Sequence, residues 1–105
     1  MSPARRQMRR VGDLLPETAR SLGLEEELRL ARATAAFDAL VGERIPAAAG
    51  AARLLRANPA ALIVEVDHPV VGQEVRLRTE ELLDAFATMP GGVRAAEIRI
   101  VSRRG

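Results

Sequence analysis

Apolar residues recur along this chain with two periods, and the switch between them marks the elements. After Asp13, Leu14, Leu15, Thr18, Ala19 and Leu22 fall on one helical stripe. Asp13 reads as the N-cap of a short helix, and Gly23, free to turn left-handed, as its end. A second helix is predicted over residues 24–41 and stopped by Gly42. Glu25, Glu26 and Glu27 sit in its first turn, where the helix dipole favours them. Leu24, Leu28, Leu30, Ala31, Ala35, Phe37, Leu40 and Val41 spread over most of its circumference, the mark of a helix packed on several sides.

Beyond a Pro, Ala and Gly connection over residues 46–52, the period falls to two. Residues 53–57 read as a first strand and 61–66 as a second, with Leu62, Val64 and Val66 on one face and Ile63 and Glu65 on the other. Asn58-Pro59-Ala60 between them is turn chemistry, which makes the pair an antiparallel hairpin. Asp67 then predicts the cap of a third long helix, with Pro69 in its first turn. Val71, Val75, Leu82, Phe86 and Met89 share its apolar face, and Pro90-Gly91-Gly92 ends it. Residues 93–101 give a last strand with Ala96, Ile98 and Ile100 inward and Glu97 and Arg99 outward.

The expected fold is therefore α+β, in the order α-α-β-β-α-β. The last strand is reached by a right-handed crossover, giving a mixed three-stranded sheet packed against helices. Strand order stays open. At 105 residues the chain has room for one core. We expect a single domain over residues 13–102, preceded by an arginine-rich mobile arm over residues 1–12 that is too poor in apolar groups to order itself.

Cysteine is absent, which removes disulfides and thiolate metal sites and suits a reducing cytoplasm. No apolar run approaches the ~20 residues that cross a bilayer, so no membrane partner is expected. His68 is the only histidine and has no companion ligand, so it reads as a turn residue and no metal is expected. Ser2, Ser21 and Ser102 lack an activating base, and Gly91-Gly92 follows a helix instead of opening one over a phosphate. We expect no catalytic residues, no cofactor and no small-molecule substrate.

All sixteen basic side chains are arginine, and the net charge is only +2. Their placement therefore matters more than their sum. Candidate nucleic-acid contacts are Arg5, Arg6, Arg9 and Arg10 in the arm, Arg53 and Arg56 by the first strand, and Arg103 and Arg104 at the end. Guanidinium forks suit phosphate, but the only aromatics, Phe37 and Phe86, read as core, which leaves no stacking platform. Binding of single-stranded DNA would be weak, sequence-independent and salt-sensitive.

Several short elements recur here in a familiar order: Leu14-Leu15-Pro16, Leu22-Gly23-Leu24, Val41-Gly42-Glu43, Leu62-Ile63-Val64-Glu65-Val66 and Gln73-Glu74-Val75. Their order and spacing, over residues 13–101, resemble the DciA family of bacterial proteins that bind and help load the replicative DNA helicase. The resemblance implies a KH-like domain, a non-enzymatic role in DNA replication, the helicase as partner, and a cytoplasmic, nucleoid-associated location. The family usually has tryptophan where this chain has Phe37 and Val71. Phe37 is expected to fill the core. Val71 is expected near the surface, forming with Gln73, Glu74, Arg76 and Arg78 the candidate partner-binding residues. The alternatives are a general single-stranded nucleic-acid-binding module, or a protein-interaction module unrelated to the helicase.

Overall fold

A computed structural model describes residues 3–103, with side chains from Arg20 onward. Its elements are helix α1 (Pro3–Arg44), a 3-10 turn (Pro46–Ala48), strands β1 (Ala52–Ala57) and β2 (Leu62–Val66), helices α2 (Pro69–Leu77) and α3 (Thr79–Thr88), and strand β3 (Ile98–Ser102). Asp13 does not start a helix, because α1 already runs through it from Pro3; the arginine side chains of the expected arm fall outside those described.

The sheet is mixed, as expected, with the order β1-β2-β3. β2 is central, antiparallel to β1 and parallel to β3. The hairpin turn is held by Asn58, whose Oδ1 accepts from the backbone N–H groups of Ala60 at 2.9 Å and Ala61 at 3.0 Å. The register slips between Leu54 and Arg56, leaving Leu55 as an extra residue in β1. Across the strands, Leu54, Val64 and Ile100 align on the inner face. That face carries the core with Ala33, Phe37, Leu40 and Val41 of α1, Val71 and Val75 of α2, and Leu82 and Phe86 of α3. All three helices pack on that side, so the domain has two layers.

The helix boundaries differ from those read in the sequence. Gly23 does not end a helix, and α1 continues through it to Arg44. A glycine inside a helix costs only ~1 kcal/mol against alanine, and the leucines, glutamates and arginines that follow are good helix formers. Gly42 does not stop it either: the helical pattern persists to Ile45, whose N–H donates to the Val41 carbonyl at 2.7 Å. The chain thus has one long helix where two were expected.

Conversely, the expected third helix is two. Arg78 leaves helical geometry, with φ −113° and ψ 19°, and its N–H donates to Val75 O at 3.1 Å in a tighter turn. The Thr79 hydroxyl takes the same carbonyl at 3.3 Å. This break lets Val71 and Val75 face the sheet while Leu82 and Phe86 face α1. The observed order is α-β-β-α-α-β.

Asp67 does not cap α2. His68 stands at the N-cap with no side-chain hydrogen bond to the helix, and Asp67 instead lies 3.5 Å from Arg103. β3 starts later than expected, because β2 itself begins at Leu62, which pairs with Ile98. Residues 93–97 therefore have no strand to join, and Ala96, expected inward, is exposed with its N–H bonded to Pro59 O. Val71, expected near the surface, is only 9% exposed. It lies on the same side of α2 as Val75, and a Cβ at Gly72 would lie 3.4 Å from side-chain carbons of Val66 and Ile100, so that side sits close on the sheet.

The end of α3 is fixed by two glycines. Gly91 has φ +82°, and a Cβ there would lie 3.0 Å from the Arg32 carbonyl oxygen. A side chain at Gly92 would collide with the Phe86 carbonyl. Only bare backbone lets this turn close against α1.

Candidate functional site

The outer face of the sheet has no helix over it. Strand alternation that turns Leu54, Val64 and Ile100 inward turns Arg53 and Arg56, Ile63 and Glu65, and Arg99 and Val101 outward. The register sets two rows across the three strands, Arg53-Glu65-Val101 and Arg56-Ile63-Arg99. Neighbouring strands lie ~4.8 Å apart, so the guanidinium stems of Arg56 and Arg99 start about 10 Å apart on either side of Ile63. Arg53 and Arg56 make no ion pair among the described residues, whereas Arg99 Nε lies 3.1 Å from Glu97 Oε1. Arg103, just past β3, donates its N–H to Val66 O and sits 3.5 Å from the Asp67 carboxylate. Of the sequence-derived nucleic-acid candidates, the structure thus brings Arg53 and Arg56 together on one face. It adds Arg99, and sets Arg103 beyond the other row against an acidic partner. Arg5, Arg6, Arg9, Arg10 and Arg104 lie outside the described side chains.

A second surface lies on the helical layer. Within α2, Gln73 and Arg76 are exposed and Glu74 is half-buried, with Arg78 exposed at the junction. The burial of Val71 and Val75 turns the opposite side of the helix outward, and there Val70 is 73% exposed and Leu77 72%. Seven residues apart, they flank Gln73 and Glu74 on one ridge. Sequence reasoning missed both. The signal was present, because a helix that buries positions 71 and 75 must expose 70 and 77.

The two surfaces are held in place by the core and by one ionic tie. Arg44 Nη1 donates to Glu81 Oε2 at 2.8 Å, joining the end of α1 to α3, and Arg78 reaches the same carboxylate at 3.5 Å. Arg44 Nε is buried without a hydrogen bond, 3.5 Å from Glu43. The shared carboxylate fixes the corner where α2 turns into α3.

Among the described residues, no group of three or more His, Asp or Glu side chains could hold a metal. No described helix is long and apolar enough to cross a membrane. Phe37 and Phe86 are both fully buried, so neither described surface carries an aromatic side chain.

The fold is a small two-layer α+β domain with a mixed three-stranded sheet. Its sequence matches the family described as Dna[CI] antecedent, DciA, over residues 10–100, and the chain belongs to that family. Membership implies a role in loading the replicative helicase, in a family of accessory proteins and not of catalysts. No curated protein and no solved structure matches the chain.

Proposed function

We propose that this protein binds the replicative DNA helicase and assists its loading on single-stranded DNA, working in the cytoplasm at the nucleoid and catalysing no reaction itself. The observation that carries the reading is the family match across residues 10–100. The order helix–strand–strand–helix–helix–strand around a mixed sheet supports a KH-like fold. An RNA-binding KH domain clamps backbone phosphates with a GxxG loop. Here α2 and α3 meet at the single residue Arg78, with no glycine and no loop to form such a clamp. That favours protein over nucleic acid as the main partner.

The helicase contact is assigned to the exposed ridge of α2, with Val70, Gln73, Glu74, Arg76, Leu77 and Arg78. Two exposed apolar side chains ringed by polar and charged ones have the make-up of an interface centre and its rim. Val71, the buried neighbour, would support this ridge from beneath. DNA would contact the open sheet face through Arg53, Arg56 and Arg99, weakly and without sequence preference, joined by the arm's arginines and by Arg103 and Arg104.

The reading is tested with the helicase of the protein's own organism. Purified chain and helicase are combined, and loading onto single-stranded DNA is followed by unwinding. Complex formation and faster loading are expected. A chain that neither binds the helicase nor changes its loading would overturn the reading.

A further inference from the structure

Helix α1 has a second face that the domain does not use. Its sheet-facing side carries Ala33, Phe37, Leu40 and Val41, all buried. On the opposite side Leu24, Leu28, Ala31 and Ala35 follow one another at helical spacing, one row along the axis. Leu24 is 54% exposed and Leu28 55%, and both alanines are exposed. A shallow groove of about 460 Å³ runs beside the alanines, walled by Glu27, Leu30, Thr34 and Asp38. Large side chains thus occupy one half of the row and a groove beside small ones the other.

We propose that this face pairs with the same face of a second copy of the chain, the two α1 helices running antiparallel. The halves of the row complement each other only in that direction. Turning one copy end over end sets Leu24 over the partner's Ala35 and Leu28 over the partner's Ala31, two knobs against two hollows. In such a pair each flank of the row faces the same flank of the partner. One flank carries Arg20 and Asp38 at its ends, and the other carries Glu25 and Arg32. The same reversal sets Arg20 against the partner's Asp38 and Glu25 against the partner's Arg32, each pair occurring twice by symmetry. None of these four side chains has an ion-pair partner among the described residues. A parallel pairing would set each leucine of the row against the partner's same leucine and each alanine against the same alanine, leaving the hollows unfilled.

The segment from Arg20 to Asp38 spans five turns, about 27 Å at 1.5 Å per residue. A two-helix contact of that length is at the small end of specific interfaces, so the dimer should form in the micromolar range and not tighter. The surface lies on α1, apart from the α2 ridge, so the proposal stands independently of the helicase contact.

Sedimentation of the full chain over a concentration series tests it, with circular dichroism to verify folding. Wild type should pass from monomer to dimer. Arg20→Asp places like charges across the interface and should raise the dimer dissociation constant about tenfold. Adding Asp38→Arg to the same chain restores opposite charges and should recover most of the loss. Direction is read by disulfides, because the chain has no cysteine of its own. A mixture of Leu24→Cys and Ala35→Cys protomers should cross-link as a heterodimer. Leu24→Cys alone should not, its two sulfurs starting about 16 Å apart along the axis. A chain monomeric throughout, a double variant no better than Arg20→Asp, or cross-linking of Leu24→Cys to itself would each overturn the proposal. So would a monomeric chain whose Leu28→Glu variant loses helicase binding, since the helicase would then own this face.

Discussion

The rings of Phe37 and Phe86 meet edge to face, with centroids 5.8 Å apart and planes at 84°. Both are fully buried, one from the last two turns of α1 and the other from α3. The pair joins the two helices above the sheet, and an aromatic contact of this geometry adds ~0.5–1.5 kcal/mol to the burial of the rings. It is the only aromatic contact the composition allows.

Phe37→Ala is expected to cost about 3–5 kcal/mol, since the cavity would open between elements fixed by the sheet. Chemical denaturation should show a lower midpoint with an unchanged slope. Phe86→Ala should cost a similar amount, and the two losses should not add, because each removes the same contact. Additive losses would mean that the rings stabilise the fold independently.

Val71→Trp separates the sequence reading from the structural one. The sequence placed Val71 near the surface, where tryptophan would be tolerated. The structure buries it under α2, so the larger side chain should overpack the core and cost about 1–3 kcal/mol. Thermal melting of the variant decides the matter: a melting temperature equal to wild type would return Val71 to the surface.

Much of this domain was legible because short-range chemistry decides it. The alternation of Leu62, Val64 and Val66 against Ile63 and Glu65 marks β2, and Asn58-Pro59 marks its turn. Phe37 as core followed from the wide apolar surface of its helix. The errors came where tertiary packing overrode local signals. Gly23 and Gly42 carry stop chemistry, yet helix α1 runs through both. The break at Arg78 has no proline or glycine to announce it; it arises because Val75 and Phe86 must face different layers. Ala96 shares the alternation of Ile98 and Ile100 but lies in a segment that has no strand to pair with. On the candidate surfaces, charge marks Arg53 and Arg56 in the sequence, while Val70 and Leu77 carry no local signal of their own and stand out only once Val71 and Val75 are buried.

DNA affinity is expected to be electrostatic. With about three phosphates engaged by Arg53, Arg56 and Arg99, the sheet face should contribute a slope of about −2 to log affinity against log salt on single strands. Replacing Arg53 and Arg56 with serine should remove roughly two-thirds of that contribution without a change in melting temperature, since both are exposed. Deletion of residues 1–10 should flatten the slope further. Titrations over a salt series measure each part, and a slope unmoved by the double substitution would exclude the sheet face.

The helicase contact is most directly tested by titrating labelled helicase with wild-type chain and with a Val70→Glu, Leu77→Glu variant. Both positions are more than 70% exposed, so the variant should fold and melt like wild type. Saturable binding by wild type is expected, with the variant at least tenfold weaker, as befits loss of an interface centre. Equal affinities would remove the α2 ridge from the contact, and no binding by wild type would contradict the account as a whole.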